Sequence, residues 1–366
     1  MFLVKAPARV NLIGEHTDYQ LGYVLPFAID RYIWVIGDKR KDKKIKIYSV
    51  NYKQFFQTSL SEISYQKNFL WVNYILGIIK EFLKLDINLS GMEIKVEGNI
   101  PIGSGLSSSA ALEISIAAFI NKIFEVNLSP IEIIKLAKRA ENEFIGVKCG
   151  IMDQFSSYLS KENHAILLNC KTLQYEYIPL YLKDYQILLV DTKKERKLSS
   201  SFYNERVKQV EKALQIIKKE INNVEFLCDI TLTQLRNFKK KMDNICYKRA
   251  LHIVEENKRV LDVSRFLKNG EVEKIGNLIY ASHESLKNLY QVSCEELDFI
   301  VDFCKNFKEV LGARLTGAGF GGCCIVLIKK FFVKEFKKEL ASVYNKKFPA
   351  LLEFYEVKSV NGSVNS

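Results

Sequence analysis

The chain switches between two hydrophobic periods, and the switches mark out its elements. Residues 44–50 and 93–97 alternate apolar and polar side chains, as half-buried strands do. Phe2 to Ala6, His164 to Leu168 and Tyr185 to Asp191 also read as strands, and Cys323 to Ile328 is a continuous apolar run of strand length. Leu70, Val72, Ile75, Leu76, Ile79 and Phe82 fall near a 3.6-residue period, which predicts a helix over 69–85. Ser129-Pro130-Ile131-Glu132 is a capping box with proline at the first helical position, opening a helix to about Glu143. Residues 110–119 are strong helix formers, and amphipathic stretches over about 203–220, 246–267 and 294–308 predict more helices. A further helix pattern and a strand near 352–357 close the chain, and the tail Asn361–Ser366 reads as disordered.

Mixed strands and helices in two layers give an α+β class. A length of 366 residues is long for one core and predicts two domains, placed at 1–165 and 166–366. No long Pro/Gly/Ser linker separates them, so they should pack closely with the active site between. A hydrophobic content of 48% and a charged content of 26% describe a folded soluble protein. No apolar run approaches the roughly 18 residues of a spanning helix. Lys5 and Arg9 lie where a signal peptide needs apolar residues, so a cytoplasmic location and no membrane partner are expected.

The eight cysteines are scattered without Cys-x-x-Cys spacing, and the four histidines lie far apart, which speaks against zinc or redox work. Free thiols in a reducing compartment follow, with Cys149 read as packing. The net charge of +12 comes mostly from lysines spread along the chain. No helix-turn-helix spacing or aromatic-interleaved basic stripe accompanies them, so nucleic acid is not expected as a partner.

Candidate chemistry concentrates in three places. Residues 8–20 pack Arg9, Asn11, Glu15, His16 and Asp18 into one short polar run beside apolar segments. Buried ionisable groups are costly unless paired, so folding needs alone do not explain the cluster. With Gly14 to turn the chain, Glu15, His16 and Asp18 suit a ligand rich in hydroxyls, such as a sugar. Gly103-Ser104-Gly105-Leu106-Ser107-Ser108-Ser109 leads straight into the helix at 110, where backbone amides and a helix N-terminus can cradle phosphate. It lacks the Gly-Lys-[Ser/Thr] of a Walker loop. Gly317 to Gly322 formally matches the dinucleotide fingerprint, but a strand-like run follows it where a helix is required, so it reads as a glycine-rich loop closing over a substrate.

Val10 to Tyr19, with the sequence Val-Asn-Leu-Ile-Gly-Glu-His-Thr-Asp-Tyr, resembles the galactokinase signature within the GHMP sugar and metabolite kinases. Pro101 to Ala110, Cys149 to Phe155 and Leu315 to Gly322 agree with that family in order and spacing, so the resemblance covers nearly the whole chain. The resemblance implies an N-terminal domain like domain 2 of ribosomal protein S5 and a ferredoxin-like C-terminal domain. It implies transfer of the ATP γ-phosphoryl group to the anomeric hydroxyl of galactose, the first committed step of galactose breakdown, by a monomer using Mg²⁺.

Carried over residue by residue, the family pattern makes Asp153 the base and Arg9 its partner. Glu15, His16, Thr17, Asp18, Gly150 and Tyr203 would meet the sugar. Gly103 to Ser109, with Leu106 inside the loop, would meet the nucleotide together with Ser49 and Trp71. Ser109 and Glu141 would hold the metal. Glu143 is a rival for Glu141 on residue type alone, Tyr203 could be a helix-face aromatic, and Trp71 could be core. Ala8 stands where the family usually has glycine, a mild change if its φ is negative. A catalytically silent sugar sensor would lose part of the serine-alanine stretch, which is intact here in Ser107 to Ala111. Within the enzymes, an N-acetylgalactosamine or other sugar 1-kinase is the runner-up. Mevalonate and homoserine kinases share the phosphate loop but lack Gly-Glu-His-Thr-Asp-Tyr.

Overall fold

The structure is a computed structural model and describes residues 1–101, 103–194 and 199–365. The first half contributes strands β1 (Phe2–Asn11), β2 (Tyr23–Val24), β3 (Pro26–Lys39), β4 (Lys44–Ser49), β5 (Gln54–Ser59) and β6 (Met92–Gly98). Its helices are α1 (Val72–Leu83), α2 (Ser108–Ile123), α3 (Pro130–Arg139) and α4 (Met152–Leu159). A five-stranded sheet has the order β1-β3-β6-β4-β5, with β4 and β6 parallel and the other pairs antiparallel. Val35, Ile45, Ile47 and Ile94 from its inner face meet Ile75, Ile79, Phe82, Ile116, Phe119 and Ile134 of the helices in one buried core.

The chain continues through β7 (His164–Asn169), β8 (Tyr175–Pro179), β9 (Tyr185–Asp191), α5 (Ser199–Lys218), α6 (Leu232–Arg236) and α7 (Asn244–Lys268). It ends with α8 (Ile275–Ser285), α9 (Glu295–Asn306), β10 (Val310–Leu315), β11 (Cys323–Lys329), α10 (Val333–Tyr344) and β12 (Glu353–Glu356). A second sheet runs β10-β11-β9-β12 with antiparallel neighbours. Numbered from β9, that is the order 2-3-1-4 of a ferredoxin-like sheet. The sheet is buried on both faces. Leu188, Val190 and Val326 pack into the core of the second half, whereas Ile187, Leu189 and Ile325 pack against Val10, Leu12 and Phe27 of the first. Burial on both sides is why Cys323 to Ile328 is apolar without alternation.

A small third sheet joins β2 to β7 and β8, so the boundary expected after residue 165 falls inside a strand paired with the N-terminal segment. The tail expectation is corrected for its described residues. Gly362 N–H donates to Ser160 O at 2.7 Å, and Asn361 Oδ1 accepts from Glu162 N–H at 3.0 Å. Short polar residues look disordered in one dimension because their backbone partners lie some 200 positions away.

The capping box is present as expected, with Ser129 N–H donating to Glu132 Oε2 at 2.8 Å. The α-helix, however, ends at Arg139, not Glu143, and Ala140–Ile145 continue as a wider π-helical turn. Gly146, at φ +87°, then terminates the turn. Such widenings often occur at functional sites, and this one carries Glu141.

Candidate active site

Arg9 leaves β1 just after the pairing register with β3 shifts between Pro7 and Ala8. Ala8 keeps a negative φ, so the methyl group in place of hydrogen causes no backbone strain there. The Arg9 guanidinium grips Asp153, in the first turn of α4, with Nε to Oδ1 and Nη2 to Oδ2 both at 2.7 Å. Such a fork-to-fork pair fixes direction as well as distance. Burial works against the Arg9 charge, but Asp153, helped by Glu15 and Asp18, more than offsets it, so the Arg9 pKa is raised.

The phosphate-type loop is tied to this pair. Gly105 O accepts from Arg9 Nη1 at 3.0 Å, and Leu106 O accepts from Arg9 N–H at 3.3 Å. Leu106 itself is buried core, so it serves the loop through its backbone. Ser107 sits at φ +59° immediately before α2, and its hydroxyl donates to Asp153 Oδ2 instead of capping the helix. The first-turn amides of α2 therefore have no side-chain cap. Ser104 Oγ donates to Pro101 O at 2.7 Å and closes the turn from within, while a Cβ on Gly103 would meet nothing within 4 Å.

Beside Asp153 lies a cavity of about 260 Å³ lined by Arg9, Glu15, His16, Asp18, Glu141, Cys149, Gly150, Tyr203 and Gly317, among others. A second cavity of about 290 Å³ is lined by Ser49, Trp71, Gly98, Ser108 and Ser109. Tyr74 lines both, so the two stand on either side of one side chain. Trp71 stacks on Tyr52 at 5.8 Å and 17° and donates Nε1–H to Gln54 Oε1 at 2.8 Å, which leaves it half-buried at the cavity wall.

Glu15 is buried, and three groups converge on its Oε1: Arg314 Nη2 at 2.8 Å, Gly317 N–H at 2.7 Å and Thr316 Oγ1–H at 3.1 Å. Asp18 lies so close to Gly150 that a Cβ there would come within 1.8 Å of Oδ2, so any side chain there would displace Asp18. Burial, and then the neighbouring Asp153, push Asp18 up to about 7. Thr17 is the one member of the expected sugar set outside the cavity lining. Its hydroxyl reaches Gly14 O at 3.0 Å and Tyr23 O at 2.8 Å, which holds the loop shut.

Glu141 and Glu143 part company. Glu143 pairs with Lys84 at 3.0 Å on the surface, whereas Glu141 is buried at the cavity within hydrogen-bonding reach of Ser109. Gln154 Nε2 donates to Glu141 Oε2 at 2.6 Å and to the fully buried Glu113 at 3.1 Å. Burial and then Asp153 raise Glu141 to about 7. Cys149, expected as packing, lines the cavity with Sγ 3.2 Å from Glu141 Oε2; burial and that carboxylate keep it a thiol.

Several supports were not singled out in the sequence. Glu256 on α7 accepts from Gly14 N–H at 3.0 Å and Ser282 Oγ–H at 2.6 Å. Burial alone would raise its pKa, but Arg259, with Arg314 and the Ser282 hydrogen bond, brings it down to about 2. Asn257 Oδ1 accepts from Tyr23 N–H at 2.7 Å, and Arg314 Nη1 donates to Leu12 O at 2.9 Å. All come from the second half and grip the N-terminal loop from behind. Glu256 and Asn257 lie on α7 and Arg314 on β10.

Comparison with known proteins follows the same geography. The model described as galactokinase galactose-binding signature matches residues 1–39. The GHMP kinases N-terminal domain matches 73–161, and the GHMP kinases C-terminal model matches 264–346. A galactokinase of Thermotoga neapolitana is 45% identical over 359 residues, covering 98% of both chains. The chain belongs to the galactokinase family. A galactokinase of Clostridium tetani is likewise 45% identical, over 93% of this chain and 87% of its own. The crystal structure of Lactococcus lactis galactokinase complexed with galactose superposes with a TM-score of 0.95 at 36% identity, covering 98% of this chain and 94% of that one. The mevalonate kinase of Methanococcus jannaschii, at 26% identity and a TM-score of 0.68, shares the wider GHMP kinase fold.

Proposed function

We propose that this chain transfers the γ-phosphoryl group of ATP to the anomeric hydroxyl of galactose, giving galactose 1-phosphate. The observation that carries the reading is the Arg9–Asp153–Ser107 cluster, placed where a polar cavity meets the uncapped start of α2. In this reading the sugar occupies the cavity with Glu15, His16, Asp18 and Tyr203, beside the backbone at Gly150. Adenine lies against Trp71 and Ser49. Gly103, Gly105 and Ser107 to Ser109 bring the phosphates to Tyr74, and Thr17 acts by keeping the sugar loop closed.

Phosphoryl transfer relies on positioning and charge neutralisation more than on covalent help from the protein. Asp153 accepts the hydroxyl proton, or orients it, while Arg9 holds the carboxylate and faces the charge on the transferring group. Glu141 and Ser109 offer oxygen donors only, and no group of three or more His, Cys, Asp or Glu forms a metal cage among the described residues. That donor set fits Mg²⁺, which keeps several waters and binds through few protein ligands plus phosphate. Bound there, it would neutralise phosphate charge. Gln154 meanwhile orients the Glu141 carboxylate, and the neighbouring Asp153 and Glu113 carboxylates favour a cation.

Glu141→Ala is accordingly expected to raise the magnesium concentration needed for half-maximal rate, with Glu143→Ala close to the parent protein. Titrating Mg²⁺ at fixed ATP checks this, and the reverse pattern would move the metal ligand to Glu143. For the substrate, a panel of sugars with Mg-ATP should show galactose as the best acceptor, phosphorylated at C1. A clear preference for N-acetylgalactosamine, or a 6-phosphate product, would overturn the reading.

A further inference from the structure

His16 lies at the cavity wall at φ +66°, in the left-handed region that few non-glycine residues adopt. The ring of Tyr290 packs between His16 and His252, with centroids 4.6 Å from each. His252 is fixed in turn, with Nε2 donating to Glu15 O at 3.1 Å and Nδ1 2.8 Å from Ser285 Oγ. A hydroxyl chain runs beside this stack. His16 Nδ1 is 3.2 Å from the Tyr19 hydroxyl, which is hydrogen-bonded to the Tyr290 hydroxyl.

Only one direction of that chain satisfies every proton. Among the described residues, the fully buried Tyr290 hydroxyl has Tyr19 as its one hydrogen-bond partner. If Tyr290 donates to Tyr19, then Tyr19 donates to His16 Nδ1, and both phenolic protons are used. The opposite direction strands the Tyr290 proton in the interior, which proteins avoid. His16 Nε2 is buried without a hydrogen-bond partner among the described residues, and the Ala318 backbone lies within hydrogen-bonding reach of the ring. Burial lowers the His16 pKa to about 4, so the ring is neutral at working pH and carries a single N–H.

We propose that Tyr290 and Tyr19 are positioning residues that lock His16 in the Nε2–H tautomer, presenting a hydrogen-bond donor to a sugar hydroxyl. The role of the donor rests on the sugar-binding reading above; the direction of the chain does not.

Long-range ¹⁵N–¹H correlation spectra of the full-length protein, labelled at histidine and assigned with a His16→Gln variant, read the tautomer without any ligand. The parent protein should show a pyridine-like Nδ1 and a pyrrole-like Nε2 at His16. Tyr19→Phe should lose that pure state and weaken galactose binding by calorimetry roughly fivefold to tenfold, about the worth of one hydrogen bond. An Nδ1–H tautomer in the parent protein overturns the proposal whether or not a variant folds. Unchanged tautomer and affinity in folded Tyr19→Phe would also overturn it. An Nε2–H tautomer in a protein that binds no galactose would uphold the chain and refute the sugar reading instead.

Discussion

Asp153→Asn is expected to lower kcat by about 10²- to 10⁴-fold while leaving galactose binding close to that of the parent protein. The substitution keeps the size and shape of the side chain but removes the charge that Arg9 grips through two 2.7 Å contacts. One of the two acceptors for Arg9 becomes a donor, so the fork cannot re-form. Interactions made mostly in the transition state appear in kcat more than in binding. Steady-state rates and calorimetry of galactose binding on the folded variant check this. Near-normal turnover would remove Asp153 from the chemistry, and loss of binding with kcat unchanged would make it a sugar ligand alone.

A second large effect should come from a residue that touches no reacting atom. Arg314 is fully buried and pairs with the buried Glu15 at 2.8 Å. Arg314→Met is expected to destabilise the protein by about 3–5 kcal/mol, because it leaves a carboxylate buried without its cation. Removing one partner is worse than removing both, so Glu15→Gln combined with Arg314→Met should recover part of the loss. Urea unfolding of the single and double variants measures it. A single-variant loss below about 1 kcal/mol, the range of an exposed pair, would show that the pair contributes little.

The two experiments fall on different sides of the sequence. Asp153, Arg9 and the serines of the phosphate loop lie in short motifs whose residue types already state their chemistry. Glycine supplies positive φ, a serine run opens a helix, and a carboxylate and a cation are of opposite sign. Element periods were equally legible: β9 lies at Tyr185–Asp191, and β11 follows the 317–322 loop where a dinucleotide fold would need a helix. Local propensity, however, did not place the end of α3. The π-helical turn at 140–145 carries Glu141, which meets Gln154, Cys149 and Ser109 across the site.

The choice between Glu141 and Glu143 illustrates the division. Two residues apart on a helix, they have the same intrinsic chemistry, and only the neighbours differ: Lys84 at the surface for one, a buried amide and thiol for the other. Thr17 sits inside the sugar motif yet turns its hydroxyl to two carbonyls, because the loop's fold determines which way each side chain faces. The tail looked disordered until its backbone found a partner at Ser160.

By itself, then, the sequence determined the α+β class, the glycine-serine loop that opens α2 and the cluster of polar residues at 8–20, because these follow from periodicity and from chemistry within a dozen positions. Tertiary structure alone decided which groups hold that cluster in place. Arg314, Glu256, Asn257 and Tyr290 lie more than 200 residues from the loop they support. A buried charge or N–H must be paired wherever the chain can bring a partner, and sequence distance sets no limit on where that partner lies.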